Sequence, residues 1–173
     1  MRRMLLFLVA AFATAAIAVP VALADSPHFL YANASVSSST GALRVDFKDA
    51  GLGTGVSSIA ITLTVNTATA TYQCWNNGGQ HPKAGNKETV SHSLTVTGSF
   101  AVRHGQTTAF LTTGPPDQGS FSCPSGQTLY LVDDVSYSGI TVCDETGNCL
   151  GATPDPASAN VGNPSNGGGI RIG

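Results

Sequence analysis

The sequence predicts an all-β protein: an antiparallel β-sandwich, immunoglobulin-like in architecture, with about eight strands and a flexible C-terminal tail. Three observations carry that expectation. From about His28 to Leu150, apolar and polar residues alternate with a period of two, the pattern of half-buried strands. Gly, Pro and Asn interrupt the alternation at short intervals, as they do in sandwiches and barrels. Beyond residue 24 no stretch shows an apolar stripe at helical spacing, and only three lysines and two glutamates stand among many Thr, Ser, Val and Gly residues. That composition favours strands over helices.

The first 24 residues read as an export leader. Met1-Arg2-Arg3 is a basic start, the run from Met4 to Val19 is apolar, and Ala22 and Ala24 form the small-residue pattern before a cut at Asp25. The rival is a membrane anchor, since 21 residues from Met4 to Ala24 could span a bilayer. Pro20 and the many alanines favour cleavage instead. Without the leader, which holds Arg2 and Arg3, six basic and ten acidic side chains remain, a net charge of −4. The product is expected to be secreted and soluble, with no membrane contact after cleavage. No basic stripe exists to neutralise phosphates, which excludes a nucleic-acid partner.

The domain is expected to span residues 25–150. Its strand runs begin with Phe29 to Ser37, followed by Leu43, Val45 and Phe47 alternating with polar neighbours. Ile59, Ile61, Leu63 and Val65 form the next, and Ala68, Ala70, Tyr72 and Cys74 another. Val90, Leu94, Val96 and Phe100 share one phase; Thr107 to Thr112, Thr128 to Val132 and Val135 to Val142 complete the set. Residues 151–173, rich in Gly, Pro and Asn with little to bury, read as the flexible tail.

Export places Cys74, Cys123, Cys143 and Cys149 in an oxidising compartment. Four cysteines allow three pairings, and the sequence alone does not choose among them. The polar residues between Cys143 and Cys149 suit a bridge closing a local turn, which would leave Cys74 with Cys123. Neither C-x₂-C nor H-x₃-H occurs, so no metal and no cofactor is expected.

The candidate chemistry is sparse. No serine sits in G-x-S-x-G, and no catalytic residue is assigned. Asp133-Asp134 could be a calcium ligand pair or an acid/base couple. The phase of the strand argues for a β-bulge, because Leu129 and Leu131 stay in step with Val135 and Tyr137 only if Asp133 points inward. The segment after Cys74 holds the only tryptophan: Trp75 could be an exposed stacking platform for a sugar, with Asn76, Asn77 and His81 as hydrogen-bond partners. The reading preferred over that one has Trp75 packing over a disulfide at the start of a long loop.

The block Cys74-Trp75-Asn76-Asn77-Gly78-Gly79, with Pro82, Asn86-Lys87 and the later Phe121-Ser122-Cys123-Pro124-Ser125-Gly126-Gln127, resembles small secreted β-rich proteins of actinobacteria, a group with no assigned function. The resemblance implies export, a β-rich fold, a Cys74–Cys123 bridge and no catalytic residue to carry over. The expected function is a non-catalytic extracellular binding or structural module, its partner a glycan or another secreted protein. The alternatives are a small secreted hydrolase and a protease inhibitor presenting the Cys143–Cys149 loop.

Overall fold

Alternation along the chain becomes alternation across two packed sheets. The computed structural model describes residues 26–76 and 86–172. Its strands are β1 (His28–Val36), β2 (Leu43–Ala50), β3 (Ser58–Asn76), β4 (Lys87–Ala101), β5 (Gln106–Thr113), β6 (Gln127–Asp144), β7 (Cys149–Gly151), β8 (Ala157–Asn160) and β9 (Ile170–Arg171). The smaller sheet runs β1-β2-β5; the larger runs β4-β3-β6-β7, with β8 and β9 also pairing with β6. Every pairing between strands is antiparallel. No α-helix occurs among the described residues. The leader lies outside them, as does the loop of residues 77–85.

Two pairs of expected strands are single long ones. Residues 58–76 continue through a register shift between Val65 and Ala68. Asn66 and Thr67 oppose one residue of β4 there, so the inward set changes from Ile61, Leu63 and Val65 to Ala68, Ala70 and Tyr72 without losing the core. Opposite Asn66, Gly139 of β6 has φ +65°, and a Cβ on it would collide with the Asn66 side chain. A second shift falls where Thr69 pairs with Ser136 but Thr71 with Val132. This is the bulge expected at Asp133, which adopts φ +62° and swings out to meet Lys87 Nζ at 2.7 Å. Val135 and Tyr137 thereby remain fully buried.

The tail expected over residues 151–173 is corrected by the pairing. β8 lies against residues 134–137 of β6, and β9 against Tyr130 and Leu131. Between them, the Asp133 bulge donates its N–H to Gly162 O and accepts from Val161 N–H, both at 2.8 Å. Ala152, Ala157 and Val161 are buried. Composition misled here because a chain covering a sheet edge is held chiefly by backbone hydrogen bonds, which need no strong side-chain pattern. With the tail as part of the sheet, the described residues hold nine strands rather than eight.

The core lies between the sheets. Phe47 meets Phe29 and Phe100 edge-on at 6.1 and 5.2 Å between ring centres. Two buried tyrosines tie the ends of loops to it: Tyr137 Oη donates to Gly41 O and Tyr72 Oη to Pro116 O, each at 2.6 Å. Burial pushes both hydroxyls upward, so they stay protonated donors. Tyr137→Phe is expected to lower stability by about 1–3 kcal/mol, because the Gly41 carbonyl is left buried without its donor; urea unfolding measures the change.

Both disulfides form as the spacing suggested. Cys74–Cys123 spans 49 residues and ties the end of β3 to the segment before β6, while Cys143–Cys149 spans 6 and clips β6 to β7. No free cysteine remains among the described residues. Two disulfides fit an oxidising compartment. No helix among the described residues is long and apolar enough to cross a membrane.

Candidate functional site

β4 and β5 are neighbours in sequence but belong to different sheets, and each is the outermost strand of its own among the described residues. The chain crosses between them in a tight turn, with Arg103 and Gln106 exchanging backbone hydrogen bonds of 2.8 and 3.1 Å. A cleft of about 450 Å³ lies at this crossing, within the volume range of small-ligand sites. Phe100 and Ala101 line it from β4, Arg103 from the turn, and residues 106–109 from β5.

The local sequence explains the shape. Gly98 faces inward two residues before Phe100, and a Cβ on it would sit 2.8 Å from Phe100 Cζ. The glycine lets that ring fold back over β4 against Phe47 and form one wall. On β5, Thr107 and Ala109 point inward and Thr108 and Phe110 outward. Phe110 is 48% exposed, and the Arg44 guanidinium lies 3.6 Å over its ring. Arg44 also grips Asp46 through two hydrogen bonds of 2.5 and 2.8 Å, which hold the Asp46 carboxyl below its ordinary range. Arg103, exposed, and Lys48, opposite Thr108 in the register, have no acidic partner among the described residues.

A second concentration of charge lies at the ends of β2 and β6. Asp49 is fully buried, and neither carboxylate oxygen has a hydrogen-bond partner. Burial first, and then the charge of Asp144, push its carboxyl up to about 6, against the opposing pull of the Ala50 and His28 backbone N–H groups and the His28 ring. Burial alone would also raise Asp144. There the donors outweigh it: Thr146 N–H and Oγ1 and Asn148 N–H and Nδ2 all bond to the carboxylate, at 2.6–3.2 Å, and hold it below its ordinary value. The Cys143–Cys149 loop is thus a hairpin turn wrapped around its own aspartate, with Glu145 N–H docked on Ala60 O.

The residues singled out from the sequence fall elsewhere. Trp75 is 5% exposed and its Nε1 is buried without a partner. Its ring is not a surface platform; it faces opposite to Cys74 in β3, in register with Thr128 of β6. Asn76 Oδ1 accepts from Gln127 Nε2, and Gln127 Oε1 accepts in turn from Asn86 Nδ2, a link across the end of the sheet. Asn77 and His81 lie outside the described residues. Asp134 accepts from Asn160 Nδ2 at 2.8 Å and so anchors β8. His92 and His104 are exposed with no side-chain hydrogen bond, and His28 Nδ1 lies 2.7 Å from Ser26 O.

No family model, curated protein or solved structure matches the chain. The site therefore rests on its own geometry. Sequence reading passed over Phe100, Arg103 and residues 106–109 because they look like a strand, a turn and a strand. The signal that was available is Gly105, two residues after Arg103, marking a turn between two strand runs. What alternation cannot show is that this turn changes sheets and leaves an opening.

Proposed function

We propose that this chain is a secreted, non-catalytic binding module on an immunoglobulin-like sandwich, and that it takes its ligand in the cleft between β4 and β5. The single observation behind the reading is that cleft: an open space between the outermost strands of the two sheets, walled by Phe100 and Ala109, with the Arg103 side chain at its rim and no acidic partner for it among the described residues. The leader pattern and the two disulfides support export. The strand order supports the immunoglobulin-like class: β1, β2 and β5 correspond to strands A, B and E, and β4-β3-β6-β7 to C′-C-F-G. The bridge between the second and sixth strands that typifies antibody domains is not made; Cys74 lies on β3 and Cys123 in the segment before β6.

The test titrates the purified, oxidised protein with neutral oligosaccharides, acidic oligosaccharides and short peptides. Binding by one of these classes is expected, and Ala109→Trp, which fills the cleft, is expected to weaken it at least tenfold with circular dichroism unchanged. Binding indifferent to Ala109→Trp, or turnover of a bound compound, would overturn the reading.

A further inference from the structure

We propose that the cleft captures the C-terminal end of an extended peptide from another protein, added as an antiparallel strand along β5, with Arg103 on the terminal carboxylate. This rests on the reading of the cleft as the ligand site and names what enters it.

The first argument is the edge itself. β5 pairs with β2 over eight consecutive residues without a register shift, and beyond the Arg103–Gln106 bridge at its start its other edge pairs with no strand among the described residues. Natural edges are normally blunted by charge, proline or a bulge. Residues 106–113, Gln-Thr-Thr-Ala-Phe-Leu-Thr-Thr, carry none of these. An added strand would bond to that backbone, its side chains falling alternately toward exposed Phe110 and toward the Phe100–Ala109 wall.

The second argument is polarity. β5 runs away from the turn that closes the cleft, so an antiparallel strand runs toward the turn and ends there. Its terminal carboxylate then arrives at Arg103. A parallel strand would bring an ammonium group to the same guanidinium, which repels it. Charge complementarity thus selects both direction and terminus. The chain beyond the leader is acidic overall, yet the charged side chain that lines the cleft is Arg103, and Lys48 stands opposite Thr108 in the register. Of the acids on β2, Asp46 is paired with Arg44, and Asp49 is enclosed in the interior and does not line the cleft.

The experiment screens the oxidised protein against acetylated octapeptides with randomised sequence and a free C-terminal carboxylate, then remakes the enriched peptides as C-terminal amides. The expected result is at least a tenfold loss on amidation, with backbone amide resonances of residues 106–113 shifting on binding. Arg103→Lys is expected to keep the carboxylate preference and Arg103→Glu to abolish it. Equal binding of acid and amide, insensitivity to Arg103→Glu, or no enriched peptide would overturn the proposal. So would a concentration-dependent dimer formed through β5 without peptide. An oligosaccharide whose binding is lost in Ala109→Trp would sink the peptide assignment alone and leave the cleft as a ligand site. No Ala109→Trp-sensitive binding of any compound would sink both.

Discussion

Replacing Cys74 and Cys123 together by alanine is expected to lower stability by about 4 kcal/mol. In the chain-entropy account the cost grows with the loop that the bridge closes, and this bridge closes 49 residues. Those residues include all of β4 and β5, and so both walls of the cleft. The bridge is also the covalent tie between the end of β3 and the crossover that leads back into β6, the two strands at the centre of the larger sheet. Cys143–Cys149 closes only 6 residues, and its loss should cost about 2 kcal/mol by the same reasoning. The Asp144 hydrogen bonds hold that hairpin independently. Urea unfolding of the two double variants gives the comparison. Equal losses would show that loop length is not what governs the two bridges.

Asp49→Asn is expected to stabilise the protein at neutral pH by about 2 kcal/mol, less than the full shift would give because the amide that replaces the carboxyl is itself buried. The carboxyl is raised to about 6 from its ordinary value of 3.8. The folded state therefore holds this proton more tightly than the unfolded chain does, and folding is penalised once the group ionises. Stability should fall as pH rises from about 4 through 6 and level off above that. Asp144 acts oppositely. Its carboxyl is held below 3.8, so its contribution is present above that value and is lost as pH drops through the folded value. The two together predict greatest stability near pH 4, with the alkaline shoulder flattened in Asp49→Asn and the acid limb unchanged. Thermal unfolding from pH 3 to 8 checks both limbs. A variant no more stable than the parent at pH 7 would mean that the buried carboxylate is solvated after all.

The Asp133 bulge shows how far pattern alone reaches. Strict alternation from Leu131 to Val135 would have put a carboxylate in the core, and the desolvation cost of an unpaired charge there is prohibitive. That conflict was readable, and its resolution is the bulge that Lys87 now meets from β4. The same logic fails at Asp49. It lies on β2 where the alternation of Val45 and Phe47 continues inward, and the carboxylate was buried regardless. Only the three-dimensional neighbourhood of Asp144 and His28 shows what that burial does to its proton.

Trp75 and the tail mark the other boundary. A tryptophan among Asn and Gly residues looks exposed, because neighbours in sequence are mistaken for neighbours in space; β6 lies beside it and the ring is covered. The residues after Gly151 look unstructured because they offer few apolar side chains. Their backbone nonetheless found the open edge of β6, including the displaced groups of its bulge.

By itself, the sequence determined the strand-forming chain, the two inward faces and the place where β6 must bulge, since each follows from local side-chain alternation. Only the tertiary structure decided which strands lie at the edges, that residues 157–171 complete a sheet, and that the turn at Arg103 opens a cleft. Edges and openings arise from which strands pair across long stretches of chain, and a period of two reads the same in a central strand as in an outer one.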